Sequence, residues 1–175
     1  MIQVSRRGKP LHQKYSELDN KVFSAFCDSF NIKWSVDFKD GEDDYSGIDA
    51  QLTAISRCKL TSYDVEIKSV HLSKMLPYCY FQADKWDKLI QWDNDYKLYF
   101  VIYPNHNKIA VWRVNSKLLR SSEKEYILMK KNTCKGENKI EKLVYKFKLS
   151  DAKVFNFDLT PYKNKYDALH QQRKN

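Results

Sequence analysis

Short runs of alternating apolar and polar residues divide the first half of the chain and predict strands with one buried face. These runs cover residues 33–38, 48–55 and 63–68. The third run, in the segment SYDVEIKSV, places two acids and a lysine on the face opposite its apolar residues. Because a short polar link joins the second and third runs, we expect them to pair as an antiparallel hairpin.

Two segments instead show the 3.6-residue apolar spacing of amphipathic helices. The first covers residues 16–31, with Ser16 as its expected N-cap and Asp19 as its capping-box carboxylate. The second is expected to begin with Asp84 as its cap, just after a break at Pro77. Its buried side is expected to consist of Trp86, Leu89 and Ile90.

The second half of the chain is predicted to be mainly β-structure. Residues 97–104 are nearly continuous in apolar side chains, which is typical of a central strand covered on both faces. Residues 109–114 predict the next strand, and residues 163–175 are polar and predicted to be frayed. Residues 125–133 and 139–149 predict a long basic β-hairpin, and residues 152–159 predict one more strand.

This order of elements predicts an α/β fold in which helices flank a central mixed β-sheet, followed by a C-terminal β-hairpin extension. We expect one domain over residues 1–175, because this length suits a single hydrophobic core. The core is expected at about 16–114 and the basic, β-rich extension at about 115–160.

Composition narrows the class of protein. Apolar residues make up 42% of the chain, which argues against disorder. No run of about 18 apolar residues predicts a membrane span, and the basic first fifteen residues lack the apolar segment of a secretory signal. We therefore expect a cytoplasmic protein. The net charge of +9 favours a polyanionic partner such as nucleic acid.

The cysteines and histidines give little support to other kinds of site. No two cysteines have CxxC spacing, so a zinc ribbon or redox pair is not predicted. We expect buried, reduced thiols. The four histidines show no paired metal-ligand spacing either. The cysteines are Cys27, Cys58, Cys79 and Cys134.

Candidate chemistry is concentrated on the predicted hairpin. If its strands pair, the carboxylates of Asp49 and Glu66 and the ammonium of Lys68 meet on one sheet face. Two close carboxylates repel unless a cation lies between them, and Mg²⁺ prefers oxygen ligands. Lys68 would add positive charge beside a phosphoryl group. The alternative is a solvated ladder of charges on a strand face.

Asp49 in SGIDAQL, followed by Glu66, Ile67 and Lys68 in YDVEIKS, resembles the signature of the PD-(D/E)xK nuclease superfamily, which includes restriction endonucleases and archaeal-type Holliday junction resolvases. The order of elements over about residues 16–114 is also similar to the core of that superfamily. The resemblance implies a restriction-endonuclease-like core with Asp49, Glu66 and the Ile67 carbonyl as Mg²⁺ ligands and Lys68 as a catalytic residue. Mn²⁺ is expected to substitute for Mg²⁺. Ile48 stands where the family often has proline.

The resemblance also suggests supporting residues. Glu17, on the first helix, is a candidate for an additional carboxylate, although helix N-termini favour acids in any case. Gln82, just ahead of the second helix, is a candidate polar site residue or an ordinary surface glutamine. Asp64 shares the face of Glu66. Asp43 and Asp44, in the loop before Asp49, are rival ligands or a solvated turn.

The sequence therefore predicts a Mg²⁺-dependent endonuclease that hydrolyses phosphodiester bonds in DNA. We expect a homodimer, because two cuts in a duplex usually imply two active sites and a symmetric dimer is the commonest way to supply them. A catalytically inactive nucleic-acid-binding module and an interaction subunit on the same fold are the alternatives. The DNA structure or sequence recognised, and RNA as a substrate, stay open.

Overall fold

The computed structural model describes residues 11–30, 32–39, 48–56, 59–94, 96–130 and 139–174. This part of the chain is a mixed α/β structure with four α-helices, nine strands and two short 3-10 turns. The helices are α1 (Leu11–Asp28), α2 (Ala83–Leu89), α3 (Ser116–Ser121) and α4 (Thr160–Lys174). The strands are β1 (Lys33–Phe38), β2 (Ala50–Ser56), β3 (Lys59–Ser69), β4 (Tyr78–Gln82), β5 (Tyr96–Tyr103), β6 (Lys108–Val114), β7 (Glu123–Lys130), β8 (Lys139–Lys148) and β9 (Lys153–Asn156).

Six of these strands form the central sheet in the order β1-β2-β3-β5-β6-β9. The first three form the expected antiparallel meander, whereas β3 pairs with β5 in parallel. The sheet is therefore mixed, as the sequence predicted. β5 occupies a central position and is buried along most of its length, which agrees with its nearly continuous apolar sequence.

One face of the central sheet is covered by two helices. Phe23 and Phe26 of α1 pack edge-on against Phe100 of β5, with ring centroids 4.9 and 5.1 Å apart. Tyr166 and Leu169 of α4 belong to the same buried cluster. Helix packing on this face thus combines one helix from each end of the described chain.

The opposite face is covered by a second sheet, of three strands in the order β4-β8-β7. Phe81 of β4 stacks on Phe147 of β8 at a centroid distance of 4.9 Å, and both contact Tyr99 of β5. The predicted basic hairpin is the antiparallel β7–β8 pair. Because β8 pairs with β4 and β9 pairs with β6, the segment after residue 115 is joined to both sheets.

Several local predictions are wrong. α1 begins at Leu11 rather than Ser16, so Asp19 is a buried residue inside the helix and not part of a capping box. The N-cap of α2 is Gln82, and Asp84 lies in the first turn. Ile90, predicted to be buried, follows the end of α2 and is 52% exposed. The polar segment predicted as frayed forms α4, and the sequence analysis did not predict β4 or α3.

Two further expectations concern thiols and membranes. Cys27 and Cys79 are buried, free thiols, as expected, whereas Cys58 and Cys134 lie outside the described residues. Burial raises the pKa of Cys27 to about 12, so this thiol is unreactive at neutral pH. Within the described ranges, none of the helices is long and apolar enough to cross a membrane.

Candidate functional site

A cleft of about 540 Å³ opens beside the second half of β3. α1 and α4 contribute to its lining from one side of the central sheet, and β4 and α2 contribute from the other. Asp49, Glu66 and Lys68 all line this cleft. The three residues that the sequence analysis placed at one site therefore share one cavity.

The register of the β2–β3 hairpin explains why Asp49 and Glu66 are neighbours. Ala50 is paired with Val65, which sets the preceding residue, Asp49, level with Glu66. The Asp49 N–H donates to the Val65 carbonyl at 3.0 Å. In turn, Asp49 Oδ2 accepts a 2.6 Å hydrogen bond from the Ile67 N–H. Because Val65 and Ile67 are fixed in the core, these bonds hold the Asp49 carboxylate in place.

Glu66 is not on an open sheet face, since it is only 6% exposed. Burial, reinforced by the negative charge of Asp49, raises its pKa to about 7, even though Lys85 and Lys68 oppose that shift. Burial likewise raises the pKa of Asp49, although Lys85 and the Ile67 N–H oppose the rise. The two carboxyl groups thus interact electrostatically in a poorly solvated site, where a cation would be favourable.

Lys85 supplies one such cation from the first half of α2. Its Nζ donates to Glu66 Oε1 at 2.7 Å. Burial disfavours the ammonium, but the carboxylates of Glu66 and Asp49 outweigh this effect and raise the pKa of Lys85. Lys85 was not among the predicted site residues. Lys85 follows Gln82 by about one helical turn. This spacing is the local signal that would have placed Gln82 and Lys85 together at the start of the same helix.

Lys68 follows Ile67 on β3. It is half-buried and lines the cleft, and its charge opposes the rise in pKa that burial causes in Asp49 and Glu66. Lys68 therefore contributes positive charge to the same carboxylate pair from the strand, while Lys85 does so from the helix.

Asp19 is a third carboxyl group lining the cleft, and it too was missed as a site residue. Its Oδ1 accepts a hydrogen bond from the Tyr166 hydroxyl at 2.7 Å, and its Oδ2 accepts one from the Ser69 hydroxyl at 3.3 Å. Burial raises its pKa to about 7 despite these bonds, and Asp49 adds to the rise. An acid within the apolar stripe of α1, between Tyr15 and Val22, is the sequence signal for it.

The supporting candidates are distributed differently. Gln82 lines the cleft at the end of β4, where its Oε1 accepts a hydrogen bond from Lys142 Nζ at 3.0 Å. Glu17 lies on another face of α1 and lines a separate, smaller pocket between α1 and α4. Asp64 is buried in an ion pair with Lys97. Asp43 and Asp44 lie outside the described residues.

Asp49 and Glu66 provide the oxygen donors that a hard divalent cation prefers. Among the described residues, no three His, Cys, Asp or Glu side chains are grouped as a self-sufficient metal site. However, Glu66 Oε2 is buried without a hydrogen-bond partner in this part of the chain, and buried oxygens are normally satisfied. Because Mg²⁺ is commonly held by one or two carboxylates plus water and phosphate, Asp49 and Glu66 fit it.

Comparison with known proteins returned no matching family model, curated protein or solved structure.

Proposed function

We propose that this protein is a metal-dependent endonuclease with a restriction-endonuclease-like core, which hydrolyses phosphodiester bonds in DNA. The observation that carries the proposal is the convergence of Asp49, Glu66 and Lys68 on one cleft. The unpartnered Glu66 Oε2 and the antiparallel meander that carries these residues support it. The net charge of +9 suits a polyanionic substrate.

In this mechanism, Asp49 and Glu66 would hold Mg²⁺, with the Ile67 carbonyl as a further ligand. The bound ion would polarise the scissile phosphate and lower the pKa of a coordinated water. The Ile67 N–H keeps the Asp49 carboxylate oriented. Lys68 orients the attacking water and neutralises charge that develops on the phosphate. Gln82 lines the same cleft and would contact the substrate.

A cleavage assay tests these roles. Supercoiled plasmid is incubated with the wild-type protein and with Asp49→Asn or Lys68→Ala, in Mg²⁺ or Mn²⁺. We expect each substitution to slow cleavage roughly 100-fold or more, since both remove groups that act on the reacting phosphate. Lys117→Ala, an exposed change on α3, is the matched control and should cleave normally. Undiminished cleavage by Lys68→Ala would reject this assignment.

A non-catalytic DNA-binding module is the second candidate, and the Lys85–Glu66 ion pair favours it. An ammonium already neutralises Glu66 Oε1, as it would in a site that needs no metal. Calorimetric titration with Mn²⁺ separates the two candidates. Heat of binding that disappears in Asp49→Asn supports the nuclease, whereas no binding in either protein supports the module.

We also propose that the protein acts as a homodimer, because a double-strand cut requires two active sites and a symmetric dimer is the commonest way to supply them. Light scattering coupled to size-exclusion chromatography measures the mass directly. A protein mass of 20.9 kDa, that of a single chain, both for the free protein and for the DNA complex after the mass of the DNA is subtracted, would contradict this part of the proposal.

A further inference from the structure

Lys85 neutralises Glu66 from an element that is separate from the strands carrying the proposed ligands. Its Nζ lies 2.7 Å from Glu66 Oε1, and its charge also acts on Asp49. The contact is made inside the cleft, whose lining includes all three residues. An ammonium group therefore interacts with the same two carboxylates that a divalent cation would use.

A divalent cation bound to Asp49 and Glu66 would repel this ammonium strongly, because like charges interact strongly in a poorly solvated site. Lys85 and the metal thus compete for Glu66. The long, flexible stem of a lysine allows its ammonium to move without moving the helix. The Lys85 side chain is 30% exposed, so it has room to reach elsewhere in the cleft.

We propose that Lys85 is a displaceable counter-ion of the site. It neutralises Glu66 while no metal is bound, and it moves to a substrate phosphate when a divalent cation takes its place. This inference rests on the proposed function for its second step, the contact with phosphate. The first step, competition with the metal, depends only on the ion pair and the carboxylates.

A purely structural ion pair leads to the opposite expectation. If Lys85 served only to anchor α2 to β3, removing its charge would leave Glu66 buried and unpaired and would disturb the site. Affinity for metal would then stay the same or fall. Metal affinity that rises when the lysine is removed would therefore show that Lys85 and the metal compete for the site, which is the first step of the proposal.

The experiment measures Mn²⁺ binding by calorimetry without DNA, in wild type, Lys85→Met and Lys85→Gln. Lys88→Met removes a charge from the same helix at a position that does not line the cleft, and it is the matched control. We expect Mn²⁺ to bind roughly tenfold more tightly to both Lys85 variants than to wild type or the control, because a competing positive charge is gone. Unchanged or weaker binding would overturn the counter-ion role.

Thermal unfolding gives a second readout that needs no activity. In EDTA, both Lys85 variants should melt below wild type, since Asp49 and Glu66 then repel each other. Saturating Mn²⁺ should raise the melting temperature of Lys85→Met and Lys85→Gln by more than that of wild type. An equal rise in all four proteins would contradict competition, even if one variant proved hard to fold.

Plasmid cleavage by the same proteins separates this inference from the proposed function. Cleavage slowed by Lys85→Met despite tighter Mn²⁺ binding supports both. If wild type cleaves DNA but the Lys85 variants bind Mn²⁺ like Lys88→Met, the counter-ion role fails and the nuclease survives. If nothing cleaves but Lys85→Met binds Mn²⁺ more tightly, the nuclease fails and the counter-ion survives. If Mn²⁺ binds to none of them, both fail.

Discussion

Buried carboxylates in this fold differ in how completely their oxygens are hydrogen-bonded. Asp64 is completely buried, yet its carboxylate accepts hydrogen bonds from Lys97, Asn94 and Gln51. Glu66, two residues along the same strand and on the same face, has one oxygen paired with Lys85 and one without a partner among the described groups. The carboxylate is therefore fully hydrogen-bonded at one position and only partly hydrogen-bonded at the other, and an incompletely bonded buried oxygen calls for an explanation.

The Asp64–Lys97 pair should be sensitive to the loss of either partner alone. Lys97→Met leaves a buried carboxylate without its cation, and we expect it to lower the free energy of unfolding by about 3–5 kcal/mol. The double variant Asp64→Asn with Lys97→Met removes both charges and should recover part of this loss. Urea unfolding of both proteins measures the difference. A double variant less stable than Lys97→Met would contradict this account.

Asp19 makes stability depend on pH. Burial raises the pKa of Asp19 from 3.8, the value for an exposed aspartate, to about 7 in the folded protein. Between these two pH values the folded state therefore retains a proton that the unfolded state has released. Stability contributed by this group therefore falls as pH rises from about 4 to about 7. Asp19→Asn, which keeps an acceptor for Tyr166, removes that dependence.

As the pH rises from about 4 to about 7, we expect Asp19→Asn to become more stable relative to wild type. Above this range the gain in the free energy of unfolding should be on the order of a few kcal/mol. Urea unfolding of both proteins at about pH 4.5 and about pH 8 measures the change. Asp28→Asn, on an exposed residue at the end of α1, is the control and should follow wild type. A constant offset between Asp19→Asn and wild type at both pH values would contradict the buried-acid explanation.

At the scale of elements, strands were easier to predict than helices. β1 and most of β2 and β3 carry a two-residue alternation, which Ile55 and Leu60 interrupt near the turn, and that alternation also indicated the faces and the hairpin. α4 was missed because most of its residues are polar. Its apolar stripe has helical spacing and consists of Tyr162, Tyr166 and Leu169. This stripe stabilises the helix only when α1 and the sheet bury it. β4 is five residues long and depends on pairing with β8, more than fifty residues away.

α4 should behave as a packed element and not as a frayed end. Leu169→Ala removes a buried side chain from the cluster beneath α1, and we expect it to lower the free energy of unfolding by about 2–4 kcal/mol. Gln172→Ala, at an exposed position three residues later, should change stability little. Urea unfolding gives both values. A Leu169→Ala protein as stable as the Gln172→Ala protein would show that α4 is not docked.

For the whole molecule, the candidate site was predictable where it depends on local pairing and unpredictable where it depends on distant packing. Asp49 and Glu66 meet because β2 and β3 are consecutive and antiparallel. Lys85 and Asp19 reach the cleft only because α2 and α1 lie on opposite sides of the completed sheet. No local sequence pattern specifies where α1 and α2 lie relative to the cleft, since their positions depend on how the two sheets and the helices pack against β3 and β5.

Salt dependence tests whether the cleft is the DNA-binding surface. Lys68 and Arg173 line the cleft, and Lys142 contacts Gln82 at its rim. If these three cations each neutralise one phosphate, the logarithm of the association constant should fall with the logarithm of salt concentration with a slope of about −2.7, or roughly 40-fold between about 50 and 200 mM. Fluorescence anisotropy with a labelled duplex in EDTA measures affinity without cleavage.

Single substitutions then locate the surface that produces this slope. Arg173→Ala should make the slope shallower by about 0.9, because one fewer counterion is released when the phosphate contact is lost. Arg120→Ala removes the same charge from an exposed position on α3 that does not line the cleft, so it should leave the slope unchanged. Since both variants lower the net charge of +9 by one, a general effect of charge would move the two slopes equally. Equal shifts would therefore indicate that DNA binds outside this cleft. A shift confined to Arg173→Ala would instead indicate that DNA contacts Arg173 of α4 in the same cleft that contains the carboxylates of Asp49 and Glu66.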